Sequence, residues 1–317
     1  MEESELFAFE QAEDHAAEEI SAPRYSYWQS VGRVFFGKKR NLVLLLLLAV
    51  LLIFTFVYPA AIGYDAAVDP YENLLDTAAK HLGPRQAMEK FGPSLKWILG
   101  SGASGQSTFD AVWYGAGISL SLALICAAIN MTVGVALGAI WGFSRRVDAV
   151  MMEVYNIVAN VPYILLVSVV VLILSGGFWS LVVALTATGW LGIAYFIRTQ
   201  VIIIRDREYN LASRCLGTPI GRIALRNILP FMTSVIVTLA AAEIPSYISY
   251  EVFLSYIGLG LEEMSLGKLI ASAQSAMTTP GWEFEFWSPV AVASVITVVL
   301  YVVGQNLGDA SDPRTHL

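Results

Sequence analysis

DREYNLASRCLGTPIGRIALRNILP, residues 206–230, is the one long polar interval between two hydrophobic spans of this chain that is both basic and helix-patterned. It reads as two short helices hinged at Gly217. Leu216-Gly217 stops the first and Thr218-Pro219 caps and starts the second, because glycine closes helices and proline suits a first turn. Five arginines, Arg205, Arg207, Arg214, Arg222 and Arg226, accompany it. The pattern is that of a loop built to receive mechanical work from another protein, although an arginine-rich loop also follows from membrane topology alone.

The flanks of this stretch set the class. Trp179 to Ile204 precedes it and Phe231 to Phe253 follows, each long enough to cross about 30 Å of hydrocarbon as a helix. The 317-residue chain has a mean hydropathy of +0.62, 56% apolar and only 14% charged residues. That charge content lies well below the roughly 25% of soluble domains. The fold class expected is therefore an all-α integral membrane protein with six transmembrane helices. The other four are Leu42 to Ile62, Gly115 to Phe143, Met151 to Leu174 and Trp287 to Leu307.

Working outward, residues 1–32 form an acidic tail. Eight carboxylates (Glu2, Glu3, Glu5, Glu10, Glu13, Asp14, Glu18 and Glu19) fall among few large apolar groups, which predicts disorder. The acidic start is no cleavable signal peptide. Residues 33–62 hold a basic flank (Arg33, Lys38, Lys39, Arg40) and the first span. An external loop, 63–114, is broken by Pro70, Gly83-Pro84 and Gly92-Pro93. A five-helix core, 115–307, contains the loop 206–230 and a second external loop, 254–286, which is partly apolar and glycine-broken. A short tail, 308–317, ends the chain. Lys80, Arg85, Lys90, Lys96 and Lys268 are the only positive charges on the external side of this layout, so both termini are expected in the cytoplasm.

Within the spans, Gly134 and Gly138 make a small-xxx-small face suited to close helix packing. Pro162 is expected to kink the third span and leave Asn160 to be satisfied by a neighbouring helix. Arg198 closes the fourth span, where its side chain can snorkel to the interface. Glu243 lies near the middle of the fifth span with Pro245 beside it. An intramembrane carboxylate marks a substrate path or a hydrogen-bonded helix interface. Asn160 and Glu243 are the candidate pathway-lining residues.

Several chemistries are missing. There is no GxxxxGK[ST] phosphate loop. His15, His81 and His316 sit in separate tails and loops as solvated histidines, so no metal site is expected. No nucleophile–base constellation lies at membrane depth, and nucleic-acid binding is unsupported. Cys126 and Cys215, at different depths, are not expected to pair.

The loop resembles the EAA motif of membrane subunits in binding-protein-dependent ABC importers. Leu211-Ala212-Ser213 stand where Glu-Ala-Ala is usual, Gly217 is the motif glycine and Leu229-Pro230 close it. Leu211 replaces the motif glutamate, with Glu208 one turn earlier as its possible substitute, and Asn227 stands near the usual isoleucine. LGSGASGQSTFDAVWYGAGISL (99–120), FLSYIGLGL (253–261) and LGDASDPR (307–314) resemble the C-type permease of the oligopeptide and dipeptide branch. VMMEVYNIVANVP and EYNLASRCLGTP resemble its Gram-positive oligopeptide members. The resemblance covers Arg33 to Leu317.

That resemblance implies a type I ABC importer permease fold with a cytoplasmic coupling helix. It implies a non-enzymatic oligopeptide permease that pairs with a homologous permease subunit in the lipid bilayer. Two cytoplasmic ATP-binding subunits would hold ATP and Mg, so this chain would bind no cofactor, and an extracellular peptide-binding lipoprotein would deliver substrate. Glu208, Leu211, Ala212, Ser213, Arg214, Gly217, Leu229 and Pro230 would couple to the ATPases. The alternatives are a permease for another solute (dipeptide, nickel or sugar) and a peptide-sensing receptor.

Overall fold

The computed structural model describes residues 27–64 and 79–312. The expected disorder of residues 1–26, His15, Pro70, His316 and the end of the last motif lie outside the described residues. Among the described residues, five helical spans are long and apolar enough to cross a membrane: Lys39–Ala61, Thr108–Phe143, Phe178–Arg205, Ile220–Tyr256 and Glu283–Ala310. The expected third span is instead a bent pair, Arg145–Ala159 and Tyr163–Ile173, meeting at 83°. Pro162 lacks the N–H a continuing helix needs, and the break falls there. With the pair counted as one, the spans number six.

The second span is the central element and packs along the fourth and fifth. Its glycines set the approach. A Cβ on Gly138 would lie 2.5 Å from the Ala194 carbonyl oxygen, and one on Gly134 or Gly142 would meet Ile193 or Val201 within 2.7 Å. The small-xxx-small face is thus a packing seam, one turn longer than expected. The span also starts earlier than its apolar run: Ser107 Oγ caps it by accepting from the Asp110 amide at 3.2 Å. Asp110 in turn accepts from Tyr58 Oη of the first span at 2.8 Å, which satisfies a carboxylate that hydropathy counts against a helix.

The loop 206–230 lies at one end of the bundle, together with a short helix, Tyr27–Gly37, that seats Val31 and Phe35 against Ala310. The expected tail boundary at residue 32 therefore falls inside a packed helix. At the opposite end, Ser175, Gly176 and Gly177 form the tight turn with successive φ of 64°, 80° and 90°. Residues 79–107 fold over that end, where Pro84–Phe91 starts on its proline and stops on Gly92.

Two polar side chains find specific partners there and in the bundle. His81 is no solvated histidine, for it stacks on Trp282 at 3.6 Å and its Nδ1 lies 2.6 Å from Glu285 Oε1. Arg198 is held by a carboxylate on another helix. It donates from Nε and Nη2 to the two carboxylate oxygens of Asp148, at 2.7 and 2.9 Å, pinning the Arg145–Ala159 helix to the fourth span.

Candidate functional site

The loop consists of Glu208–Cys215, a turn at Gly217, then Ile220–Ile223 continued by a wide turn over Ala224–Ile228. The first helix ends in a Schellman motif: Gly217 donates to the Arg214 carbonyl and Thr218 to the Ser213 carbonyl, at 2.9 and 3.1 Å. Gly217 has φ +79°, and the space around its absent Cβ is open. Its requirement is conformational, not steric.

The base of the loop is locked and its rim is free. Ile223, Ile228 and Met232 pack on Ile193, Ile197, Val201 and Ile204 of the fourth span. Fully buried Asn210 donates to the Ile204 carbonyl at 2.9 Å and accepts from Asn227 Nδ2 at 3.0 Å. Arg205, the last residue of the fourth span, donates to the Gly142 carbonyl, tying the root of the loop to the second span. Leu211, Ala212, Arg214, Gly217 and Pro230 are exposed, as is Glu208 in the first turn. Ser213 and Leu229 are partly covered. Leu216, at 86% exposure, together with Leu211, Ile220 and Leu225, leaves an apolar rim bare. An edge with this composition on a rigid base is suited to docking.

A second site opens midway along the bundle, a cavity of about 370 Å³ framed by the two helix breaks and the fifth span. Ala159 and Pro162 come from the 83° bend, Thr188, Gly189 and Gly192 from the interruption of the fourth span, and Glu243, Ser246, Tyr247 and Tyr250 from the fifth. Glu243 lines it. Asn160 sits at the bend but donates to the Asn156 carbonyl of its own helix, not to a neighbour. Behind the wall, Asn130 Nδ2 donates to the Leu185 carbonyl and to Tyr247 Oη, and Tyr163 Oη donates to the same Leu185 carbonyl at 2.6 Å. These bonds hold the wall at the break in the fourth span. A Cβ on Gly189 would fall 2.4 Å from that carbonyl oxygen.

Residues 134–317, which hold both the loop and the cavity-forming breaks, match the family model of the binding-protein-dependent transport system inner membrane component. The chain belongs to this family. It is 43% identical over 316 residues to the oligopeptide transport system permease protein AmiD of Streptococcus pneumoniae, covering 99% of this chain and 98% of that protein. It is 31% identical to the oligopeptide transport system permease protein OppC of Bacillus subtilis, over 94% and 93% of the two chains. It is 30% identical to the dipeptide transport system permease protein DppC of the same organism, over 98% and 93%. The chain is a multi-pass membrane permease component. Likeness to the first relative extends through the acidic N-terminal stretch that the motifs left outside.

The largest omission from the sequence reading of this permease is Glu251. Fully buried, it accepts from Ser119, Ser255 and Ser265 hydroxyls at 2.9, 3.0 and 2.6 Å and from the Gly267 amide at 3.3 Å. Ser119 also accepts from the Leu266 amide, and Ser265 from that of Lys268. The Leu266–Ser272 helix, in the expected second external loop, is thereby fastened to the second and fifth spans. Glu251 stands eight positions after Glu243 in one apolar helix, and only the partners distinguish the two. One carboxylate is saturated with donors and structural, whereas the other faces a cavity.

Proposed function

We propose that this chain is one of two homologous permease subunits of an ATP-driven importer of oligopeptides, with both termini in the cytoplasm. Two cytoplasmic ATP-binding subunits, carrying ATP and Mg, engage the loop 206–230, and an external peptide-binding lipoprotein delivers substrate to the opposite end. The chain itself catalyses no reaction. The observation that carries this reading is 43% identity across essentially the whole length of a relative named as an oligopeptide permease.

The loop geometry supports the division of labour. Leu211, Ala212 and Leu216 form the docking edge, with Leu211 supplying apolar contact where a glutamate is usual and Glu208 offering a charge at the first turn. Arg214 engages an acidic rim. Gly217, Leu229 and Pro230 shape the turn and its return to the membrane. Because Ile223, Ile228 and Asn210 fasten the loop to the fourth span, a push on its rim moves that span instead of bending the loop. Coupling then needs two arrangements of the membrane half, which the ATPases bias. Glu243 lines the path, with Asn160 at the bend beside it.

The test is reconstitution of the co-purified transporter in proteoliposomes. ATP-dependent uptake of labelled peptides, displaced by unlabelled di- to hexapeptides, is the expected result. Displacement by nickel or a sugar, but not by peptides, would overturn it.

A further inference from the structure

The cavity between the helix breaks contains one formal charge. Glu243 is the only Asp, Glu, Lys or Arg among its lining residues. Each break joins the C-terminus of one helix to the N-terminus of the next, so their dipoles offset to first order and the carboxylate sets the sign of the potential. Around it stand tyrosine rings. Tyr163 and Tyr250 have ring centroids 5.1 Å apart, Tyr247 and Tyr250 6.1 Å apart, and Tyr155 also lines the wall.

Tyr163 Oη donates to the Leu185 carbonyl, while Tyr247 Oη accepts from Asn130 and is hydrogen-bonded to the Glu243 carboxylate. That fixes these rings, so they need not be immobilised when a ligand arrives. A carboxylate beside tyrosine faces attracts a cation by direct charge and by the ring quadrupoles. The volume suits part of a small organic ligand better than a bare metal ion.

We infer that this cavity is a subsite for an alkylammonium group of the transported peptide, with Glu243 as the counter-ion and Tyr163, Tyr247 and Tyr250 as the aromatic wall. This rests on the peptide-import reading above and deepens it. Two groups on a peptide share this chemistry, the N-terminal α-ammonium and a lysine side chain. A cavity built this way discriminates by charge and tolerates varied side chains beyond the ammonium, as a carrier of diverse peptides requires.

The experiment measures equilibrium binding of three labelled probes to the purified transporter complex without binding protein: trialanine, N-acetyl-trialanine and N-acetyl-Ala-Lys-Ala. Wild type is expected to bind trialanine on the order of tenfold more tightly than its acetylated form. Glu243→Gln should remove that preference, lowering trialanine affinity toward that of its acetylated form. Recovery of affinity by N-acetyl-Ala-Lys-Ala would assign the lysine ammonium as an equivalent source, and its absence would restrict the subsite to the N-terminus. Absence of a preference in wild type, or its survival in Glu243→Gln, overturns the subsite. ATP-driven uptake of trialanine by wild-type proteoliposomes separates the two readings. Uptake without Glu243-dependent discrimination sinks the subsite alone, and no uptake sinks peptide import with it.

Discussion

Asn227 donates its side-chain amide to Asn210 Oδ1 across 3.0 Å, joining the two short helices of the loop beneath their exposed rim. Asn210 is fully buried and its own amide is held by the Ile204 carbonyl, so this pair couples both helices to the end of the fourth span. Asn227, which stands near the usual isoleucine of the motif that the loop resembles, is therefore matched by a partner seventeen positions earlier.

Asn227→Ile leaves the Asn210 side-chain Oδ1 buried without that donor, at a cost of about 1–3 kcal/mol. Amide hydrogen exchange over Glu208–Cys215 should accelerate in the variant. A double-mutant cycle with Asn210→Leu should show coupling between the two positions, and strictly additive effects would mean that the pair does not act as a unit.

Gly217 occupies φ +79° with open space around it. Gly217→Asn should retain most uptake, because asparagine tolerates the left-handed region, whereas Gly217→Val should lose more, at a cost of about 1–2 kcal/mol of strain. Gly217→Asp should insert normally but hydrolyse ATP without peptide uptake, since it places a charge on the docking edge. Paired measurement of ATP hydrolysis and uptake checks this, and normal uptake in Gly217→Asp would remove the loop from coupling.

Glu251→Ala strips the acceptor from three serine hydroxyls and one backbone amide at once. Each stranded buried donor costs about 1–3 kcal/mol, so the variant should show a large drop in Tm or fail to accumulate in the membrane. Glu251→Gln keeps one acceptor oxygen and should lie between. Thermal unfolding in detergent orders the three, and equal Tm values would contradict the clamp on the Leu266–Ser272 helix.

Gly138→Val places a branched side chain against the Ala194 carbonyl, where even a Cβ has only 2.5 Å. The second and fourth spans must separate, and overpacking of this kind costs about 1–3 kcal/mol or more. Gly192→Val on the fourth span, where the corresponding space is open, should be far milder. Comparison of folded yield after detergent extraction separates the two.

Hydropathy and punctuation carried much of this fold into view. Apolar runs located the spans, Pro162 announced a break, and Leu216-Gly217-Thr218-Pro219 announced the hinge, because backbone chemistry at those residues is local. Span ends were harder to read. Thr108 starts the second span beneath Asp110, whose carboxylate is satisfied by Tyr58 from another helix.

By itself, the sequence determined that this chain is a multi-pass helical membrane protein with a hinged basic loop, because length, apolarity and the special backbone of glycine and proline act on neighbours along the chain. Tertiary structure alone decided the size of the third-span bend. It also decided that Arg198 pairs with Asp148, that Asn227 meets Asn210, and that Glu251 is a clamp while Glu243 faces a cavity. A polar group in an apolar span is defined by what satisfies it. For Glu251 that includes Ser119, 132 residues away, a pairing no local pattern records.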